Sequence, residues 1–135
     1  MNKYIFLAGR IIYALPLLIM GSNHFLKMEA LVSYATLKGL PMPRASVLIS
    51  GLIIVLGAVS VLVGLRGKIG AWLIAIFLVG SAFTMHQFWN VPDPVAAQSE
   101  LANFLKNIIM AGAALMITQT GTGPYSVDNL NKPRG

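Results

Sequence analysis

The sequence predicts an all-α integral membrane protein: a bundle of four spanning helices, with a short interfacial helix between spans one and two. Three observations carry this. Residues Ala45 to Gly64 run for twenty residues without a charged side chain. A second uncharged run, Ile69 to Met85, follows after only Leu65, Arg66, Gly67 and Lys68. A hydrocarbon core takes about 20 apolar residues per helical span, so the two runs read as a transmembrane hairpin. The third observation is composition. The 135 residues are 56% hydrophobic and 10% charged, where a soluble domain carries about 25% charged residues.

The spans fall at about 4–22, 45–64, 69–88 and 101–118, in one domain with a tail at 119–135. Helix is the structure for each, because a segment in lipid must satisfy its own backbone hydrogen bonds. The first span holds Arg10 and Pro16. Arg10 interrupts the apolar run and no small-x-small site follows, so the segment reads as a retained span and not as a cleaved signal. Pro16 removes a backbone hydrogen bond and predicts a kink. Arg10 has two roles open to it, reaching back to the headgroups or linking helices as a structural polar residue.

Between the first two spans, Phe25 to Leu37 mixes apolar residues with Lys27, Glu29 and Ser33, the pattern of a helix lying at the interface. Gly39-Leu40-Pro41-Met42-Pro43 then breaks it. In the second span the small residues Ser46, Ser50, Gly57 and Gly64 share one face. Such a face lets helices approach closely in lipid, either within the bundle or as the seam of a homo-oligomer. Trp72 and Trp89 mark the ends of the third span as interfacial anchors. The tail after Thr118 reads as an extended surface segment.

Four spans put both termini on one side. That side holds Lys3, Arg66, Lys68, Lys132 and Arg134, against Lys27, Lys38 and Arg44 on the other. The positive-inside rule therefore predicts cytoplasmic termini in a bacterial inner membrane. The +6 net charge is accounted for by cations at span ends, without a basic, aromatic-interleaved patch for nucleic acid. The absence of cysteine excludes a disulfide framework, iron–sulfur ligation and thiol relays within this chain. No G-x-S-x-G, P-loop, dinucleotide fingerprint or H-E-x-x-H occurs. With two histidines and no carboxylate inside the adjoining spans, no metal centre is expected.

Ionisable residues inside spans usually carry function. The predicted topology brings Asn23 and His24 from span one, and His86, Gln87 and Trp89 from span three, to the end away from the termini. Asn103, Lys106 and Asn107 of span four start from the same end and share a face at i, i+3 and i+4. One reading is a polar pocket for a guest with acceptor oxygens, such as a quinone headgroup or a small oxyanion. There His24 and His86 supply protons and Lys106 stabilises negative charge, with Asn23, Gln87, Trp89, Asn103 and Asn107 binding the guest. The other reading has both histidines facing headgroups and Lys106 reaching outward.

Several fragments resemble the DoxX family of small inner-membrane proteins. They are Ala8-Gly9-Arg10, Gly21-Ser22-Asn23-His24-Phe25, Tyr34 with Gly39-Leu40-Pro41-Met42-Pro43, His86-Gln87-Phe88-Trp89, Asn103-Phe104-Leu105-Lys106-Asn107 and Gly123-Pro124-Tyr125-Ser126-Val127-Asp128. The resemblance implies a four-helix bundle, a role in a quinone-linked oxidoreductase, a redox partner subunit, and weight on Arg10, His86, Trp89, Lys106 and Asn107. It also exposes a departure. Many relatives carry a Glu in span two, where this chain has Ile54. The rival reading is a non-enzymatic scaffold or assembly factor that binds other membrane proteins.

Overall fold

The computed structural model describes residues 2–130. Helix α1 runs Lys3–Leu26, α2 Met28–Leu37, α3 Pro43–Val63, α4 Gly67–Met85, α5 Pro94–Thr120 and α6 Val127–Leu130. Four of these, α1, α3, α4 and α5, are long and apolar enough to cross a membrane. The all-α membrane bundle is the fold observed. The ends of the helices have local causes. Asn2 Oδ1 accepts from the Tyr4 and Ile5 amides at 3.0 and 3.2 Å, satisfying donors that the first turn leaves orphaned. Asp93 caps α5 by accepting from the Ala96 amide at 2.7 Å, and Pro94 opens that helix where no amide is needed. Helix α1 continues through Pro16 to Leu26, four residues past the sequence-based end of the span.

The spans form an open arc. Helix α3 packs between α1 and α4, and α4 packs between α3 and α5. Helices α1 and α5 close the circle only weakly, through a bond from the Tyr13 hydroxyl to the Met110 carbonyl at 2.7 Å. The core along this arc is Ala14 and Leu17 from α1, Ile54, Ala58 and Val61 from α3, Ile74 and Leu78 from α4, and Ala111 and Ala114 from α5. Outward-facing residues such as Ile12, Leu56, Ile76 and Ile109 are at least 60% exposed, as lipid contact requires.

The small-residue face of α3 is used inside the bundle. A Cβ on Gly70 would stand 2.5 Å from Ser60 Cβ and 2.8 Å from the Gly57 carbonyl, so α3 and α4 cross at backbone contact. This supports the packing role for that face.

The tail differs from the expected extended surface segment. Residues 121–130 fold back onto the end of the bundle that carries the N-terminus and the α3–α4 turn, here called the terminus end. Thr122 and Ser126 are 4% and 1% exposed there. Asp128 accepts from the Arg66 and Gly67 amides at 2.9 and 3.1 Å, capping α4 from 61 residues away in sequence. The Asp128 amide returns a bond to the Gly64 carbonyl at 2.9 Å. Polar composition suggested solvation, whereas these residues satisfy orphaned backbone groups at two helix ends. Lys132 and Arg134, counted in the topology argument, lie outside the described residues.

Candidate functional site

The opposite end, here the loop end, carries the connections α1–α2–α3 and α4–α5. The acid that organises it is Glu100. Because Asp93 and Pro94 start α5 early, Glu100 sits on the second turn of a helix and is held in place there. One carboxylate oxygen takes the Lys38 ammonium at 2.5 Å, and the other takes His86 Nδ1 at 2.8 Å. All three side chains are largely sheltered, between 17% and 22% exposed. Lys38 follows the last residue of α2, and His86 is the C-cap of α4. The array thus ties three segments together at one carboxylate.

Its chemistry follows from its donors. An ionised carboxylate only accepts, so His86 Nδ1 carries a proton and faces Glu100, leaving Nε2 for a second partner. Burial works against the Lys38 charge. The hydrogen bond and charge of Glu100, together with Tyr34, outweigh it, and the ammonium pKa is raised above its ordinary value. Lys38 also stands 5.3 Å from the centre of the Tyr34 ring. Beside the array, Phe83, Phe88, Trp89 and Phe104 form an aromatic cluster with ring centres 5.0 to 6.4 Å apart.

The residues singled out from sequence disperse around this array. Asn107 is 4% exposed and donates to Ser81 Oγ across the α4–α5 seam at 3.3 Å. Gln87 is used locally, donating to the Phe83 carbonyl at 3.0 Å and accepting from Asn90 at 3.0 Å. Trp89 belongs to the aromatic cluster. Lys106 is exposed and donates to Asn103 Oδ1 at 3.0 Å. Asn23 is half-buried within α1, its carbonyl accepting from the Lys27 amide at 2.8 Å.

His24 does not join His86. Its ring meets Phe77 edge-on at 5.9 Å, and Phe77 lies nine residues before His86, about 13 Å along α4 at 1.5 Å per residue. The reason is the length of α1. Helix continues past Asn23, so His24 is a helical residue packed over Gly51 and its Nδ1 faces the Met20 carbonyl at 3.2 Å. The convergence drawn from topology alone therefore reduces to His86 with Asn107 deeper on the same seam. Glu100, Lys38 and Tyr34 were missed. The Asp93-Pro94 helix start was the signal that could have found Glu100, because it places positions 100, 103 and 107 on one helical face.

Arg10 occupies the terminus end. It is 6% exposed and turned toward the tail. Its terminal nitrogens donate to the Thr122 and Pro124 carbonyls at 2.7 and 3.4 Å and to the Tyr125 carbonyl at 2.9 Å. Nothing in the span itself signalled this, because the partners are backbone groups of the tail. The acid absent from span two is replaced there by apolar packing, since Ile54 is fully buried in the core.

Among the described residues no cluster of three or more metal-ligating side chains occurs. A family model described as the SURF4 family matches residues 1–133. The inner membrane protein YphA of Escherichia coli (strain K12) is 30% identical over 122 residues, covering 90% of this chain and 86% of that protein. No solved structure matches the chain. These comparisons support the broader expectation, a small multi-pass membrane protein, under a family description other than DoxX.

Proposed function

The chain belongs to the SURF4 family, and we propose that it is a quinone-associated component of a bacterial inner-membrane redox assembly. The loop-end array handles the protons. The observation that carries this reading is the His86–Glu100–Lys38 arrangement. An imidazole fixed by a carboxylate, which is itself neutralised by an ammonium, is an acid–base pair able to pass one proton at a time. Reduction of a quinone takes two electrons and two protons. A partner subunit supplies the electrons. His86 in its doubly protonated form would donate from Nε2 toward a quinone carbonyl oxygen, once for each of the two protons, with the ring reprotonated from the aqueous side between the transfers. The aromatic cluster of Phe83, Phe88, Trp89 and Phe104 is the apolar surface against which a flat ring stacks.

This reading draws its redox character from the DoxX resemblance and its proton chemistry from the array. His24 and Lys106 form no hydrogen bond to that array, and the reading does not need them. The inner-membrane setting is argued from the YphA relative's name, and cytoplasmic termini from the Lys3, Arg66 and Lys68 cations at the terminus end.

The test is extraction of lipid-soluble compounds from the chain purified in mild detergent, with a visible and ultraviolet spectrum. A stoichiometric quinone, lost in His86→Ala and Glu100→Gln but kept in Lys106→Ala, supports the reading. A colourless, empty protein that copurifies with one membrane partner overturns it in favour of the scaffold or assembly factor.

A further inference from the structure

The weak contact between α1 and α5 leaves a cleft at the terminus end. Its volume is about 380 Å³, within the size range of small-molecule sites, and its walls include Phe6, Gly9, Tyr13, Ala113, Met116 and Ile117. The walls are mostly apolar, with Thr120, Thr122 and the Tyr13 hydroxyl as neutral polar groups. Arg10 also forms part of the walls, and its Nε is buried with no hydrogen-bond partner among the described residues. The other guanidinium nitrogens are committed to tail carbonyls. A buried donor without an acceptor is costly in any protein and more so in lipid. No carboxylate forms an ion pair with Arg10 among the described residues.

The surroundings add to the charge. Lys68 runs beside Gly121 at the rim, its Cε 3.7 Å from where a Cβ on that glycine would stand. The described ionisable residues at this end include four cations, Lys3, Arg10, Arg66 and Lys68, against one acid, Asp128. Asp128 is bound to the α4 amides. A slot open to lipid on one side, mostly apolar along its length and cationic at its outer end, matches an amphiphile with a hydrocarbon chain and an anionic head.

We propose that the α1–α5 cleft is a binding site for one anionic phospholipid. An acyl chain fills the slot, and the ester and phosphate oxygens are turned toward Arg10 and Lys68. The site is separate from the loop-end array and does not depend on the redox reading. Its filling completes the seam that α1 and α5 leave open.

The test uses the full chain. The protein is reconstituted in phosphatidylcholine vesicles containing phosphatidylglycerol, re-extracted in mild detergent and weighed by native mass spectrometry. One phosphatidylglycerol retained per chain, in preference to phosphatidylcholine, is the expected result. Gly9→Leu tests the slot without harming the fold, because a Cβ at Gly9 meets nothing within 4 Å and leucine is the better helix former. Its side chain occupies part of the slot and leaves less packing surface for an acyl chain, so retention should fall. Lys68→Gln should reduce the preference for phosphatidylglycerol and leave chain binding in place. Equal retention of both lipids, unchanged retention in Gly9→Leu, or a quinone recovered from the cleft in place of phospholipid would each overturn the proposal. His86→Ala should leave phosphatidylglycerol retention unaltered, which separates failure here from failure of the loop-end reading.

Discussion

The two ends of this bundle solve the problem of charge in a membrane protein differently. At the loop end, Lys38, Glu100 and His86 neutralise one another side chain to side chain. At the terminus end, Arg10 keeps its charge and is held by the backbone carbonyls of Thr122, Pro124 and Tyr125. Side-chain partners titrate, so the loop end can change its protonation and return. Carbonyl groups do not titrate in this range, so the Arg10 contacts have one state and serve as a clasp. The difference separates a place where chemistry can occur from a place that secures the fold.

The largest effect should follow from breaking the clasp. Arg10→Met removes all three tail bonds and leaves buried carbonyls unpaired, a loss of about 3 kcal/mol. Thermal unfolding in detergent should fall accordingly, and protease should cut between 122 and 128 while the His86–Glu100 pair survives. A melting temperature equal to that of the unsubstituted chain would show that the tail does not depend on Arg10.

Next comes Gly64→Ala. Gly64 sits at φ +76°, and an added Cβ would collide with Ser126 Cβ. Strain and overlap together should cost about 2 kcal/mol, partly restored by Ser126→Gly. If Ser126→Gly gives no restoration, the cost lies in the backbone alone.

Glu100→Gln should be milder, about 1 kcal/mol, because partly sheltered pairs repay little of their desolvation. Combined with Arg10→Met, its effect should add to within about 0.5 kcal/mol, as expected for distant sites. A larger coupling would mean that the two ends communicate through α1 or α5.

The smallest effect is that of pH. Lys38 has a raised pKa in the folded chain. Its contribution is therefore fully present below lysine's ordinary 10.5 and is lost as pH rises through the folded value. Stability measured against pH should show a loss on the alkaline side of 10.5 that is absent in Lys38→Met.

How much of this was legible in the sequence depended on the range of the interaction. The spans were readable because apolar runs and their cationic ends are local features. The packing use of Gly57 was readable because small faces favour helix contact. The loop-end site was only half readable. His86 and Asn107 were placed near the correct seam, but Glu100 was left in a connection because the Asp93-Pro94 start was not weighed. His24 was misplaced because apolar content fades at Gly21 while the helix itself continues to Leu26. The clasp was not readable at all. Arg10 and Thr122 are 112 residues apart, and a tail of Gly, Pro, Tyr and Ser carries no pattern that names an arginine.

That separation has a consequence for biogenesis. Arg10 enters the bilayer long before its acceptors are made. At translation rates of about 5–20 residues per second, the guanidinium waits on the order of ten seconds before Thr122 emerges from the ribosome. During that interval water, lipid headgroups or the insertion machinery must shelter it. The hairpin turn at Arg66 and Gly67 likewise stays uncapped until Asp128 arrives.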